Sequence, residues 1–111
     1  MNDQVELPDG SNFFATLETE LLKEQVAALF AAKGWRSRKC SWVDFEVRND
    51  WAELVIDGTF PILLHGPVAN IDQNAEFILQ TLRDAGVRYK AESYGDDPAV
   101  ILREFAWPHA S

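Results

Sequence analysis

A chain of 111 residues with 47% hydrophobic and 25% charged residues has the size and composition of one globular domain. These values exclude two domains and global disorder. The formal net charge of −8 disfavours nucleic acid as a partner, because affinity for phosphates comes largely from cations, and it favours a basic protein.

The single cysteine, Cys40, excludes an intrachain disulfide, as is typical of proteins in a reducing cytosol. The opening MNDQVELPDG has neither the basic nor the apolar segment of a secretory signal, and no apolar run approaches the ~20 residues of a membrane span. We therefore expect a cytoplasmic protein with no membrane partner. It should fold as one domain over residues 1–111, with residues 1–12 and 108–111 as flexible termini.

The first predicted element is a helix over TLETELLKEQVAALFAAKG, residues 16–34. Thr16 suits the N-cap, and Gly34 suits the end of the helix. Apolar residues at helical spacing form one inward stripe, which consists of Leu22, Val26, Leu29 and Phe30, with Leu21 at its margin.

A β-hairpin is predicted next, over CSWVDFEVRNDWAELVIDG, residues 40–58, because apolar and polar residues alternate on both sides of Asn49-Asp50. A two-residue turn there places every apolar partner on one face. A three-residue loop would set Phe45 against Glu53. The predicted core face is Val43, Phe45, Val47, Ala52, Leu54 and Ile56.

The other face of this hairpin mixes tryptophans with carboxylates, namely Trp42, Asp44, Glu46, Trp51, Glu53 and Asp57 together with Arg48 and Val55. In the predicted register Glu46 lies opposite Glu53, and like charges in that position cost roughly 0.2–1 kcal/mol. Tryptophans in water also give up apolar burial. Stability alone does not predict such a face.

The next run, TFPILLHG at residues 59–66, is predicted as a third strand. A three-residue connection at residues 57–59 turns Phe60, Ile62 and Leu64 toward the core and leaves His65 outward, beside Trp51. Pro61 lacks a backbone N–H, which predicts that this strand lies at an edge or is paired on one side only at that point.

A second helix is predicted over NIDQNAEFILQTLRDAG, residues 70–86, where Asn70 and Gln73 resemble a capping box. Its inward stripe is Ile71, Ala75, Ile78, Leu79 and Leu82. VRYKAESY then predicts a strand. Residues 99–106 fit either a short helix capped by Asp97 or a strand closing a hairpin, and the pattern favours the strand.

The predicted order is therefore α-β-β-β-α-β-β. It indicates an α+β fold, a two-layer sandwich in which two helices lie on one face of a mostly antiparallel, four- to five-stranded sheet. The basic segment KGWRSRK, residues 33–39, follows a helix end and is expected to be a solvated loop rather than a nucleic-acid site.

The favoured function is protein binding. An acidic-aromatic sheet face formed by Trp42, Asp44, Glu46, Trp51, Glu53, Asp57 and His65 would bind a basic partner, as inhibitors, antitoxins and immunity proteins do. Two structural alternatives stay open: a solvated face balanced by Arg48, Arg88 and Lys90, or a homodimer that covers the tryptophans. We expect a monomer or a weak homodimer.

An enzyme is the less favoured class. His65 and His109 are the only histidines, and no spacing typical of a zinc site accompanies them, so neither a metal nor a cofactor is predicted. Cys40 has no identifiable base. The alternative function is a small-molecule-binding domain or enzyme with its pocket near Trp51 and His65.

Overall fold

The computed structural model describes residues 6–95, 97 and 99–108. Its elements in chain order are β1 (Phe13–Glu18), α1 (Lys23–Ala31), β2 (Arg36–Lys39), β3 (Phe45–Arg48), β4 (Glu53–Gly58), β5 (Ile62–Gly66), α2 (Ile71–Asp84), β6 (Arg88–Tyr94) and β7 (Ile101–Trp107). The predicted α+β class is confirmed. The sheet has seven strands rather than four to five.

The strands lie in the order β2-β3-β4-β5-β1-β6-β7, and every neighbouring pair is antiparallel. α1 packs on β2, β3 and β4, and α2 packs on β6 and on α1. Both helices therefore lie on one side, with the core between them and the sheet. None of the helices in the described part of the chain is long and apolar enough to cross a membrane.

The first predicted helix is wrong at its start, because residues 13–18 form β1 and helix α1 begins at Lys23. Phe13, Ala15 and Leu17 alternate with more exposed neighbours and are buried in the core. This period of two suits the centre of a sheet. α1 begins after Leu22, whose backbone N–H donates to the Gln25 side chain at 2.8 Å.

The helix stripe is confirmed in part. Val26 and Phe30 are fully buried, and Leu29 and Leu21 pack against the core. Leu22 is 64% exposed, so its core assignment is wrong. The basic segment after the helix is also not a loop throughout, because residues 36–39 form the edge strand β2.

The β3–β4 hairpin has a different register from the predicted one. Arg48 lies opposite Glu53, so the connection is residues 49–52 and not a two-residue turn. The Asn49 side chain accepts the N–H groups of Trp51 and Ala52 at 2.9 Å, which fixes this longer loop. The shift is even, so the residues within the two strands keep their predicted faces. Glu46 now lies opposite Val55, and the predicted Glu46–Glu53 pair does not form.

Most of the predicted core is buried, namely Val47, Ala52, Leu54, Ile56, Ile62, Leu64, Val26, Ile78 and Leu82. Phe45 packs against it and is half-buried. Val43 and Phe60 were predicted inward but are 60% and 89% exposed, because both lie in loops. β5 lies inside the sheet and not at an edge. This position tolerates Pro61 because the proline lies before the strand, where its missing N–H takes no part in the strand pairing.

The second helix is confirmed with its buried residues Ala75, Ile78, Leu79 and Leu82. Asn70 has a left-handed φ of 49° and its side chain does not cap the helix, so the predicted capping box is wrong. The last segment is a strand, as favoured. Of the termini predicted to be flexible, residues 1–5 and 109–111 lie outside the described residues, and Asn12 exchanges two hydrogen bonds with the Val68 backbone, at 2.8 and 2.7 Å.

Candidate functional site

The sheet face opposite the helices, here called the open face, is covered by no element of the described chain. One row of side chains crosses all seven strands on this face. In the order of the strands it consists of Arg38, Glu46, Val55, His65, Phe14, Glu92 and Glu104. The row begins with one basic and one acidic residue, is apolar and aromatic in the middle, and ends with two acidic residues.

At the β2–β3 end the charges are paired. Arg38 Nε lies 3.0 Å from Glu46 Oε1, and only 17% of the Glu46 side chain is exposed. The hydrogen bond to Glu46 raises the pKa of Arg38. Arg48 lies opposite Glu53 in the next row. Glu46 and Glu53 therefore face basic neighbours and are not the free acidic pair that the sequence predicted.

The middle of the open face is apolar and aromatic. The His65 ring stacks on the Phe14 ring, with centroids 5.6 Å apart and planes 20° apart. His65 Nε2 also lies 3.1 Å from Asp57 Oδ2, whereas Asp57 Oδ1 is buried with no hydrogen-bond partner in the described chain. Val55 and Leu63 beside them are half-buried, so this area can bind apolar groups of a partner.

At the β6–β7 end the row consists of two carboxylates. Glu92 lies directly opposite Glu104, and Phe14 lies on the other side of Glu92. The Tyr94 hydroxyl donates to the Glu92 carboxylate, and this hydrogen bond raises the pKa of Tyr94. Two carboxylates in cross-strand register repel one another and destabilise the free protein. Lys90, two residues before Glu92 on β6, is a cation on the same face and lies diagonal to Glu104. In the described chain it forms no ion pair with either carboxylate.

Of the seven predicted site residues, the open face carries Glu46, Glu53, Asp57 and His65. The other three are elsewhere. Trp42 is 90% exposed in the β2–β3 loop, and Asp44 is bound to Lys23 Nζ of α1 at 3.2 Å. Trp51 lies on the helix side, because the loop at residues 49–52 turns it away from the open face.

Trp51 belongs to an aromatic cluster beneath the helices. Its ring centroid lies 5.2 Å from that of Trp35 and 6.1 Å from that of Phe77 on α2. A cavity of about 340 Å³ opens beside it, lined by Lys33, Trp35, Asn49, Trp51, Phe77, Gln80 and Thr81. His65 is on the opposite face of the sheet, so the predicted pocket combining Trp51 with His65 does not form.

The sequence interpretation missed Phe14, Glu92 and Glu104. Phe14 was assigned to no predicted element, although FFATLE has a period of two that indicates a strand. Glu92 alternates with buried Tyr89 and Ala91 on β6, so its outward direction was predictable. The pairing of Glu92 with Glu104 was not predictable, because the register depends on the β6–β7 connection and on an irregularity between Ser93 and Tyr94.

Within residues 6–95, 97 and 99–108 no group of three or more His, Cys, Asp or Glu side chains could hold a metal ion. Comparison with protein-family models, with curated proteins and with solved structures finds no match to this chain.

Proposed function

We propose that this protein is a small binding domain that holds a basic protein partner against the open face, in the manner of an inhibitor, antitoxin or immunity protein. The observation that carries the proposal is the Glu92–Glu104 pair beside the exposed Phe14 ring. This pair takes the place of the Glu46–Glu53 pair expected from the sequence.

The electrostatic argument concerns what a partner adds. Two carboxylates opposite one another cost the free protein roughly 0.2–1 kcal/mol. A lysine or arginine of a partner placed between them would remove that repulsion and form charge-assisted hydrogen bonds with both. A partner cation would therefore add interactions at Glu92 and Glu104 beyond the Tyr94 hydrogen bond to Glu92 and the nearby charge of Lys90.

The apolar argument concerns the centre of the face. Protein interfaces have apolar or aromatic centres with polar rims, and their strongest contacts are usually aromatic anchors and arginines near the centre. Phe14, His65, Val55 and Leu63 form such a centre between the charged ends of the row. A partner covering it would bury Phe14, which is 37% exposed in the free chain.

The charge of the whole chain supports a basic protein rather than a nucleic acid. A net charge of −8 attracts cationic surfaces at long range and repels polyanions. In this proposal the protein works in the cytoplasm, where its exposed free thiol, Cys40, stays reduced.

Affinity capture from the source cell tests the proposal with a matched pair of variants. Phe14→Lys places a cation in the open face, whereas Phe77→Lys places the same cation on α2, where Phe77 is 64% exposed. We expect Phe77→Lys to capture the partner of the wild type and Phe14→Lys to lose it. Capture by Phe14→Lys but not by Phe77→Lys would place binding on the helix side.

A second candidate function, small-molecule binding, is favoured by the cavity beside Trp51. Its volume of about 340 Å³ lies at the lower end of the range for ligand sites, and its walls combine three aromatic rings with four polar residues. The dye ANS is a suitable probe, because a dye bound there would quench tryptophan emission. Quenching that Phe77→Lys removes and Phe14→Lys leaves unchanged would support this candidate. No quenching would count against it.

A further inference from the structure

The two edges of the sheet differ in their protection against pairing with another strand. β2 has four residues, and three of them are basic, namely Arg36, Arg38 and Lys39. Short, charged edges resist pairing. β7 has seven residues, and Ile101 and Leu102 are 44% and 53% exposed. A groove of about 880 Å³ between α2 and β7 leaves this second edge accessible from the helix side.

The part of β7 that can form regular pairs is defined at both ends. Arg103 pairs with Ser93 but Ile101 pairs with Tyr94, so Leu102 is an extra residue in a β-bulge. At the other end Trp107 is followed by Pro108, which has no N–H to donate. The regular edge therefore runs from Arg103 to Trp107, and Phe105 is its midpoint.

We infer that β7 pairs with β7 of a second copy of this chain, antiparallel, about a two-fold axis through Phe105. A two-fold axis gives both copies the same contacts, so the pattern must be self-complementary. Phe105 then lies opposite the partner's Phe105, Glu104 opposite the partner's Ala106, and Arg103 opposite the partner's Trp107. Every residue of the regular edge has an opposite residue.

The charges select the same register. In an antiparallel pair, directly opposite residues point to the same face of the sheet, whereas neighbouring residues of one strand point to opposite faces. A two-fold axis between two residues would set residues of different faces opposite one another. The axis must therefore pass through a residue. An axis at Glu104 would set two carboxylates opposite one another, and an axis at Arg103 would do so with two guanidinium groups. Like charges in that position are destabilising. An axis at Ala106 would set Glu104 opposite the partner's Pro108, which has no backbone N–H to donate.

The second copy would also cover aromatic surface that the helices leave open. Phe105 and Trp107 are half-buried on the helix side of β7, where Trp107 stacks on Tyr89 with ring centroids 6.4 Å apart. The Arg103 guanidinium lies 4.9 Å from the centroid of the Phe105 ring. In the dimer the two Phe105 rings become neighbours, and each Arg103 gains a second aromatic neighbour in the partner's Trp107.

The net charge opposes this association. Each copy carries −8, so two copies repel one another over the Debye length, and added salt reduces that repulsion. The dimer dissociation constant should therefore fall as salt rises. Binding of a basic partner to the open face should weaken with salt, so the two associations are distinguishable.

Sedimentation equilibrium of the whole chain tests the register through one position, Ala106, which lies opposite Lys90 on β6 and opposite the partner's Glu104 in the dimer. Ala106→Glu creates two like-charge pairs per dimer and a favourable pair with Lys90 in each chain. We expect its dissociation constant to rise about 2- to 30-fold. Ala106→Lys should lower the constant, and the same two substitutions at exposed Ala28 on α1 control for net charge.

Cysteine crosslinking gives a second readout in a Cys40→Ser background. Phe105→Cys places the two thiols at the axis with Cα atoms about 4.5–5.5 Å apart, within the range of a disulfide. Ala106→Cys places them diagonally at about 7–8 Å, at or beyond that range. Oxidation should therefore give a covalent dimer for Phe105→Cys and little for Ala106→Cys, with circular dichroism confirming that both fold.

Three results would overturn the inference: a monomer at high micromolar concentration and moderate salt, Ala106 variants that behave like the Ala28 variants, or equal crosslinking of the two cysteine variants. None of them bears on the open face, since partner capture by the wild type and by Phe14→Lys is a separate measurement.

Discussion

Glu92 on β6 and Glu104 on β7 lie directly opposite one another on the open face of the sheet. Removing one charge of such a pair relieves repulsion, so Glu104→Gln should raise the free energy of unfolding by roughly 0.2–1 kcal/mol. Urea denaturation of the free protein measures this. Glu24→Gln, an exposed residue on α1, is the control and should not stabilise. A loss of stability in Glu104→Gln would mean that Glu104 has a structural role.

The Tyr94 hydroxyl reports on Glu92 because the hydrogen bond to that carboxylate raises the pKa of Tyr94 above its ordinary value of 10.0. The contribution of this bond to stability is present below pH 10.0 and is lost as the pH rises through the raised pKa. Glu92→Gln should lower the pKa of Tyr94 toward its ordinary value. Ultraviolet titration of tyrosinate measures the change, and Tyr94→Phe identifies the signal. An unchanged pKa would show that the bond does not form in solution.

Two phenylalanine substitutions test which residues lie in the core and which are exposed. Phe30 on α1 is 0% exposed, so Phe30→Ala should cost roughly 3–5 kcal/mol as a large-to-small core change. Phe60, predicted inward from the sequence, is 89% exposed, so Phe60→Ala should stay within about 0.5 kcal/mol of the wild type. Chemical denaturation separates the two. Similar losses would mean that the β4–β5 connection folds inward.

Substitutions of Trp51 and Trp42 give a second comparison between a packed and an exposed aromatic residue. Trp51 packs against Trp35 and Phe77, and Trp51→Ala should destabilise by about 2 kcal/mol, less than the roughly 3–5 kcal/mol of a fully buried ring. Trp42 is 90% exposed, so Trp42→Ala should change the free energy of unfolding very little. Thermal unfolding followed by circular dichroism measures both. If Trp51→Ala left stability unchanged but abolished partner capture, Trp51 would belong to the binding site after all.

The features that the sequence predicted correctly are those that depend on residues close together in the chain. The helix over residues 71–84 and the inward alternation of β3 and β4 depend on local periodicity, which a sequence shows directly. The register of the β3–β4 hairpin depends on the Asn49 side chain binding two backbone N–H groups, so a longer loop replaced the two-residue turn.

The central strand was missed for a different physical reason. Residues 16–18 have residue types that also suit a helix, and only pairing with β5 and β6, strands far away in the chain, makes them a strand. Without β1 the face had no Phe14, and the aromatic centre of the site could not be located. Trp51 was misplaced because a loop side chain need not follow the alternation of the strands beside it.

The most direct test of the proposed binding face is the association kinetics of the captured partner with three chains. They are the wild type, the open-face double variant Glu92→Gln/Glu104→Gln, and a control that removes the same charge near α1, Glu20→Gln/Glu24→Gln. All four residues keep their side-chain size, and only the position of the lost charge differs.

Charges at an interface mainly set the association rate and its dependence on salt. Stopped-flow or surface-plasmon measurement at two salt concentrations should therefore show a lower on-rate and a weaker salt dependence for Glu92→Gln/Glu104→Gln than for Glu20→Gln/Glu24→Gln. Equal on-rates and equal salt dependence for the two double variants would contradict binding at the open face.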